Sequence, residues 1–322
     1  MKKRNKSAKF SILGKLLRPI ISVIVLTALV LGIALFVKEI STLSYKKVIS
    51  ISSPLLAKMG LSSDKAGEVA GEFIKRASDT DININSNPIK KSEPILTVAI
   101  FADSHSDNLN LLKAISKTKD LSIDTVFHLG DLTDLGVIDK LEETKKILDE
   151  SGLKYYAIPG DHDLWQSVGL DNFKQVFGDN FHSITIQGVK FVMLDNSANY
   201  TVVDSKLMTW FKEEVRDADF VLLSQPLHHP TFNRVMGVVD GEDITKVKEQ
   251  ALEIANLIRQ SKVKAIIAGD QHASSTNIDA QKPTLSHIVV GAITSELNLQ
   301  SPRFSVLRVY SDGSYKIEDI LL

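Results

Sequence analysis

Four short clusters of aspartate and histidine each follow an apolar segment, and this arrangement constrains the fold more than any other feature of the chain. The apolar segments 95–102, 125–129, 155–159 and 264–268 are rich in β-branched residues, as buried strands are. The clusters are Asp103-Ser104-His105, Gly130-Asp131-Leu132-Thr133-Asp134, Gly160-Asp161-His162-Asp163 and Gly269-Asp270-Gln271-His272. Because the strands of an α/β sheet present their carboxyl ends to one crevice, we expect the clusters to converge.

Helical patterns alternate with these strand-like segments. Residues 108–119, 137–150, 205–216 and 244–260 carry apolar side chains at helical spacing, and two hairpins are predicted at 183–194 and 304–320. The alternation of strand and helix predicts an α/β domain over residues 94–322. The net charge of the whole chain is -1, which gives no overall attraction to nucleic acid.

The N-terminal segment has a different composition. Residues 1–18 form a basic flank with seven Lys or Arg and no acid, and the 19 residues from Pro19 to Val37 carry no charge. As a helix that run would extend roughly 28 Å, about one hydrocarbon core. It predicts a transmembrane anchor at 19–38, followed by a polar juxtamembrane stalk at 39–93. A cleaved signal peptide is the main alternative, but the run exceeds the usual apolar core of such peptides and no small-x-small cleavage site follows it.

The basic flank also predicts the orientation of this anchor. Positive residues stay in the cytoplasm, so the chain is expected to be a single-pass protein of the cell membrane with its C-terminal domain extracytoplasmic. Protease added to intact spheroplasts should therefore cleave the domain. Cleavage that begins only after lysis would contradict this topology.

The order of the clusters carries a family resemblance. Five motifs follow one another along the chain: D-x-H at 103–105, G-D-x-x-D at 130–134, G-(N)-H-(D/E) at 160–163, a later histidine and G-(H)-x-H at 269–272. In this order they resemble the motifs of the calcineurin-like metallophosphoesterase superfamily, and the resemblance covers residues 94–322. The resemblance implies a four-layer αββα sandwich. It also implies two divalent metal ions bridged by one carboxylate, and hydrolysis of a phosphate ester.

The resemblance assigns roles residue by residue. It implies that Asp103, His105 and His272 bind the first ion and that Asp131 bridges both ions. Asp103 and His105 are two positions apart, and an extended strand end would point both side chains to the same side. His162 matches the catalytic histidine that donates a proton to the leaving oxygen while hydroxide activated by the metals attacks. Asp134 is expected to orient a ligand or His162.

The second ion site departs from the family pattern. Asp161 stands where the family usually has Asn, and Asp270 stands where it has His. Among Mn²⁺, Fe²⁺, Mg²⁺, Ca²⁺ and Zn²⁺, carboxylates favour the harder Mn²⁺, Mg²⁺ and Ca²⁺ at this second site.

The fourth motif allows two alignments, because the strand at 220–223 ends in Ser-Gln-Pro-Leu-His-His-Pro. In the first alignment His228 is the ligand, and this one is preferred because a second site without imidazole would rest on carboxylates alone. In the second alignment Ser224 replaces the histidine, and His228 and His229 belong to a lid.

Two classes of function follow. The first is a membrane-anchored phosphohydrolase that acts on a phosphate mono- or diester. The second is a catalytically degenerate relative that serves as a metal-dependent binding or sensing module at the cell surface. His162 favours the enzyme, since a proton donor has no structural reason to persist in a binder. A non-phosphatase hydrolase on the same scaffold is a third alternative.

Overall fold

A computed structural model describes residues 93–322. The predicted basic flank, the anchor and nearly all of the stalk lie outside these residues, and their boundaries stay predictions. Within the described part of the chain, none of the helices has the length and apolarity that a membrane span requires.

Thirteen strands and five α-helices build the described domain. The strands are β1 (Leu96–Phe101), β2 (Thr125–His128), β3 (Lys154–Ala157), β4 (His182–Ile186), β5 (Val189–Leu194), β6 (Phe220–Leu223), β7 (Val238–Val239), β8 (Glu242–Asp243), β9 (Ala265–Ala268), β10 (Ser275–Ile278), β11 (Ser286–Val289), β12 (Arg303–Val309) and β13 (Tyr315–Leu321). The helices are α1 (Asn108–Asp120), α2 (Ile138–Glu150), α3 (Asp171–Phe177), α4 (Ser205–Glu214) and α5 (Thr245–Arg259).

Two mixed sheets form the centre of the fold. The five-stranded sheet has the order β13-β12-β1-β2-β3, and the six-stranded sheet has the order β10-β11-β9-β6-β5-β4. β1, β2 and β3 run parallel, as do β5, β6, β9 and β11. Antiparallel pairing places β13, β10 and β4 at three of the four sheet edges, and β7 pairs with β8 in a separate ribbon.

The side-chain alternation of the strands produces four layers. Along β1, Ala99 and Phe101 pack with α1, α2 and α3, whereas Val98 and Ile100 pack against the other sheet. Because successive side chains of a strand point to opposite faces, a strand that is apolar at every position is buried on both. A third core joins the six-stranded sheet to α4 and α5. The observed arrangement is the αββα sandwich that the resemblance implied.

This topology brings the polar clusters together. The Asp and His clusters and the fourth motif come soon after the ends of five strands. These strands are β1, β2 and β3 of one sheet and β6 and β9 of the other sheet. The predicted convergence of distant clusters at the carboxyl ends of parallel strands is therefore confirmed.

Candidate metal centre

The loops after β1, β2 and β9 have an unusual backbone conformation. Asp103 (φ 53°), His105 (φ 42°), Asp131 (φ 51°), Asp270 (φ 71°) and His272 (φ 53°) are all left-handed. Such positions cost on the order of 1–3 kcal/mol each and concentrate at functional sites. The extended strand end expected for Asp103 and His105 is wrong, because β1 ends at Phe101 and a left-handed turn follows it.

A first group of candidate ligands consists of Asp103, His105 and His272, whose ligand atoms lie within 4.8 Å of one another. The Nε2 atoms of the two imidazoles are 3.0 Å apart. The backbone N–H of Asp270 donates to both carboxylate oxygens of Asp103, at 2.9 and 3.1 Å. This contact joins the loops after β1 and β9.

A second group consists of Asp131, Asp161 and His162. It adjoins the first, since Oδ2 of Asp131 lies 3.7 Å from Nε2 of His105. The other oxygen, Oδ1, accepts a hydrogen bond from the backbone N–H of His162 at 3.1 Å. A Cβ atom at Gly160 would lie 2.0 Å from Oδ1, so glycine is required for this close approach. Asp131 thus lies between the two groups.

Asp163 fixes the loops that carry the second group. Its buried carboxylate accepts hydrogen bonds from the backbone N–H groups of Leu132, Thr133 and Gly160 at 2.9–3.0 Å. The hydroxyl of Thr133 also donates to it. Asp163 is therefore a buried residue that positions these loops, and not the solvated end of a turn.

His162 is held from two sides. Its Nδ1 lies 2.8 Å from the backbone oxygen of Asp134, so Nδ1 carries a proton and donates it, and Nε2 is the free ring nitrogen. The ring of Trp165 stacks on the imidazole with centroids 4.2 Å apart. Asp134 therefore orients His162 through its carbonyl group, while its carboxylate lies 3.7 Å from Nδ1 of His105.

The structure does not bring His228 to this site. His228 is exposed and lines a separate cavity together with His229 and Phe232. The preferred alignment of the fourth motif therefore needs correction. Directly after β6, the backbone N–H groups of Ser224 and Gln225 both donate to Oδ1 of Asn196. These hydrogen bonds fix the path of the chain before it reaches His228.

Ser224, the position proposed by the other alignment, is buried and does not line the cavity that opens over the two ligand groups. Gln225 lines that cavity instead.

A cavity of about 820 Å³ opens over both groups. Its lining includes the guanidinium of Arg234 and six carboxylates, which are those of Asp131, Asp134, Asp161, Asp240, Asp270 and Glu296. A cavity of this charge repels a phosphate ester unless cations compensate the carboxylates. The donor set of carboxylates and imidazoles is the one that divalent metal ions take in proteins.

The protonation equilibria lead to the same conclusion. Burial raises the pKa of Asp131, and the charge of Asp161 raises it further. Burial and then Asp161 raise the pKa of Asp270 to about 7. Burial lowers the pKa of His105 to about 3 and that of His272 to about 4, which keeps both imidazoles neutral with a lone pair for a metal. Bound cations would reverse the shifts of the carboxyl groups.

Among the cavity residues that were not identified from the sequence, three take part in hydrogen bonds around the candidate ligands. Arg234 donates through Nη1 to the backbone oxygen of Asp270 at 2.9 Å, and Asn199 donates to Oδ2 of Asp161 at 2.7 Å. Gln225 is the third. None of the three belongs to a metal motif. Their only signal in the sequence was their place in the loops after β5 and β6, at the same ends of the strands as the Asp and His clusters.

The comparisons agree with this geometry. The family profile described as calcineurin-like phosphoesterase matches residues 96–274, more than half of the chain. The chain belongs to this family. As a calcineurin-like phosphoesterase it is a metal-dependent hydrolase of phosphoester bonds.

Several named relatives and solved structures are similar to large parts of this chain. A 3′,5′-cyclic-nucleotide phosphodiesterase of Nostoc sp. is 22% identical over 77% of this chain and 92% of its own. A probable cyclic nucleotide phosphodiesterase of Rhodococcus erythropolis is 28% identical over 55% of this chain and 60% of its own. In fold, a dimetal phosphatase from Danio rerio gives a TM-score of 0.52 at 15% identity and covers 71% of this chain and 99% of that one. A purple acid phosphatase from yellow lupin seeds gives a TM-score of 0.55 at 15% identity. That match covers 71% of this chain and 52% of the phosphatase chain.

Proposed function

We propose that this calcineurin-like phosphoesterase is a dinuclear-metal phosphodiesterase that hydrolyses small organic phosphodiesters, with cyclic nucleotides as the first class to test. The observation that carries the proposal is the convergence of two adjacent ligand groups in an acidic cavity. Asp103, His105 and His272 would hold one ion and Asp161 and Asp270 the other, with Asp131 shared. When bound, the ions would withdraw charge from the phosphoryl group and supply a nucleophile by acidifying water.

His162 would act on the leaving group. Its Nδ1–H is committed to the carbonyl of Asp134, so the protonated ring presents Nε2–H to the cavity. Proton transfer from Nε2 to the departing oxygen would prevent the formation of an alkoxide. The stacked ring of Trp165 would hold the imidazole in this orientation.

The rim of the cavity supports an organic ester as substrate. Leu135, Trp165, Tyr200 and Leu297 line the cavity with large exposed side chains, of which Leu297 is 88% and Tyr200 66% exposed. Exposed apolar groups around a polar site bind the organic parts of a ligand. Arg234 would contact the phosphoryl oxygens with the guanidinium donors that Asp270 does not use. The names of the relatives agree with a diester that carries a nucleoside.

Membrane attachment through residues 19–38, with the domain outside the cytoplasm, is part of the proposal and rests on the basic flank and the uncharged run alone.

A substrate panel tests the proposed activity. The purified full chain would be assayed with bis(p-nitrophenyl) phosphate, p-nitrophenyl phosphate, and 3′,5′- and 2′,3′-cyclic AMP, with Mn²⁺, Mg²⁺, Ca²⁺ and Zn²⁺ supplied separately. We expect kcat/KM for diesters to exceed that for the monoester by about tenfold or more, which is ~1.4 kcal/mol of transition-state binding. Faster hydrolysis of the monoester would contradict the diester assignment. No turnover of any ester with any metal would favour the binding module.

A further inference from the structure

Three polar side chains connect the end of β6 to the second ligand group. Nδ2 of Asn199 donates to Oδ2 of Asp161 at 2.7 Å. Oδ1 of Asn199 accepts a hydrogen bond from Nε2 of Gln225, which also donates to the backbone oxygen of Ser197 at 3.3 Å. We call Gln225, Asn199 and Asp161 the amide relay. All three line the cavity over the two ligand groups.

The chemistry of the relay fixes the orientation of both amides. An ionised carboxylate only accepts hydrogen bonds, so Asn199 must present its NH2 group to Asp161. Its oxygen then faces Gln225, which must in turn present its own NH2 group. Oε1 of Gln225 is therefore directed away from Asn199, and within residues 93–322 no side chain or backbone group donates a hydrogen bond to it.

Gln225 is also held rigidly. It is 3% exposed, its backbone N–H donates to Oδ1 of Asn196 at 3.1 Å, and its backbone oxygen accepts from Nδ2 of the same residue at 2.8 Å. An amide oxygen to which no protein group donates can take a partner from the cavity that its residue lines. In a cavity with this excess of carboxylates, the partner that best matches such an oxygen is a cation.

The position in the fold agrees with a ligand role. Gln225 is the second residue after β6, at the strand end where the fourth motif was expected to supply an imidazole. A carboxamide oxygen is a neutral, hard donor, which suits Mn²⁺, Mg²⁺ and Ca²⁺ better than Zn²⁺. Together with Asp161 and Asp270, Gln225 would give the second site a set of ligands that are all oxygen atoms. Any imidazole at that site would be one shared with the first site.

We propose that the amide relay supplies Oε1 of Gln225 as the neutral ligand of the second metal ion, in the place of the missing histidine. Asn199 is the positioning residue, since it fixes which atom of Gln225 faces the ion and which oxygen of Asp161 stays free for it. This inference rests on the two-ion site proposed above. The second ion is therefore bound through hard donors and is the more weakly held of the two.

Metal titration of the full chain tests the relay without reference to activity. Metal-depleted protein would be titrated with Mn²⁺ by isothermal calorimetry, and bound Mn²⁺ would be counted by electron paramagnetic resonance. The wild type should bind two ions in two steps. Gln225→Leu should weaken the second step by roughly 10- to 100-fold and leave the first unchanged, and Asn199→Ala should weaken the same step less.

Two further variants give the experiment its controls. Gln225→His restores a ligand of another type and should regain the second step with a shift in preference toward Zn²⁺. Gln250→Leu is the matched control, because the Gln250 amide is part-buried and binds only the backbone of Val203, away from the cavity. Gln250→Leu should leave both steps intact.

The outcomes separate the two proposals. Two unchanged binding steps in Gln225→Leu would overturn the relay and leave the two-ion site standing. A loss of both steps in Gln225→Leu that Gln225→His does not restore would show a structural role and would also overturn it. A single ion in the wild type would overturn the two-ion site itself.

Discussion

His162→Ala should lower kcat by roughly 10² to 10⁴ for esters with poor leaving groups, while both metal ions remain bound. The reason lies in the hydrogen bonding of the ring. Nδ1 is occupied by the carbonyl of Asp134, which leaves Nε2 as the one nitrogen able to protonate a departing oxygen. Removal of the ring removes the proton donor and leaves the carboxylates in place.

The dependence on the leaving group identifies this role. A p-nitrophenolate departs without a proton, so the defect of His162→Ala should shrink for bis(p-nitrophenyl) phosphate and stay large for a cyclic nucleotide. Steady-state kinetics on both substrates, with metal content measured on the same preparation, gives the comparison. An equal loss on both substrates would remove the acid role. A loss of one ion would instead make His162 a ligand, as its place in the second group permits.

His182→Ala is the matched control for this variant. Nε2 of His182 binds the backbone oxygen of Ala157 at 2.9 Å, and the residue does not line the cavity. The control should reduce stability by about 1 kcal/mol through one lost hydrogen bond and leave kcat unchanged.

Asp131→Asn should damage both metal sites at once. One oxygen of Asp131 lies 3.7 Å from Nε2 of His105 in the first group, and the residue itself belongs to the second. The substitution keeps the size of the side chain and removes the charge that both ions share. We expect metal content to fall by more than one ion per chain and kcat to fall more steeply than the metal content, since turnover is expected to need both ions.

Asp195→Asn is the control for the removal of a buried charge. Asp195 is buried and accepts hydrogen bonds from Ser197 and Asn180, but it does not line the central cavity. Metal content in this variant should equal that of the wild type. Two ions retained with unchanged affinity in Asp131→Asn would show that the residue does not bridge.

The strand-end motifs were predictable because local sequence determines them. A run of β-branched residues favours a strand, and the Gly-Asp or Asp-x-His that follows it ends the strand. The pattern therefore predicts β1, β2 and β9 and the motifs after them. The parallel order of β1, β2 and β3 then brings three of the clusters to one edge of a sheet, whereas the fourth, after β9, joins them through the packing of the second sheet on the first. The two hairpins were predictable from their turns, since Gln187 and Gly188 both adopt positive φ as a tight turn requires.

The fourth motif was not predictable, because contacts between distant loops decide it. Asn196 accepts from the backbone of Ser224 and Gln225, and this side-chain bridge leaves no signature in either segment. The expectation of an imidazole ligand therefore favoured His228 over Ser224, and Gln225 was not identified as a ligand. The left-handed turn after β1 was missed for a similar reason: its stability comes from hydrogen bonds to Gly130 and Asp131 in another loop.

The number of ions needed for turnover tests the account most directly. Metal-depleted full chain would receive Mn²⁺ in sub-stoichiometric steps while hydrolysis of bis(p-nitrophenyl) phosphate is followed. We expect little activity up to one ion per chain and a steep rise between the first and second equivalents, since the acidic cavity admits the phosphodiester only when both groups are compensated. Full activity at one bound ion per chain would contradict it.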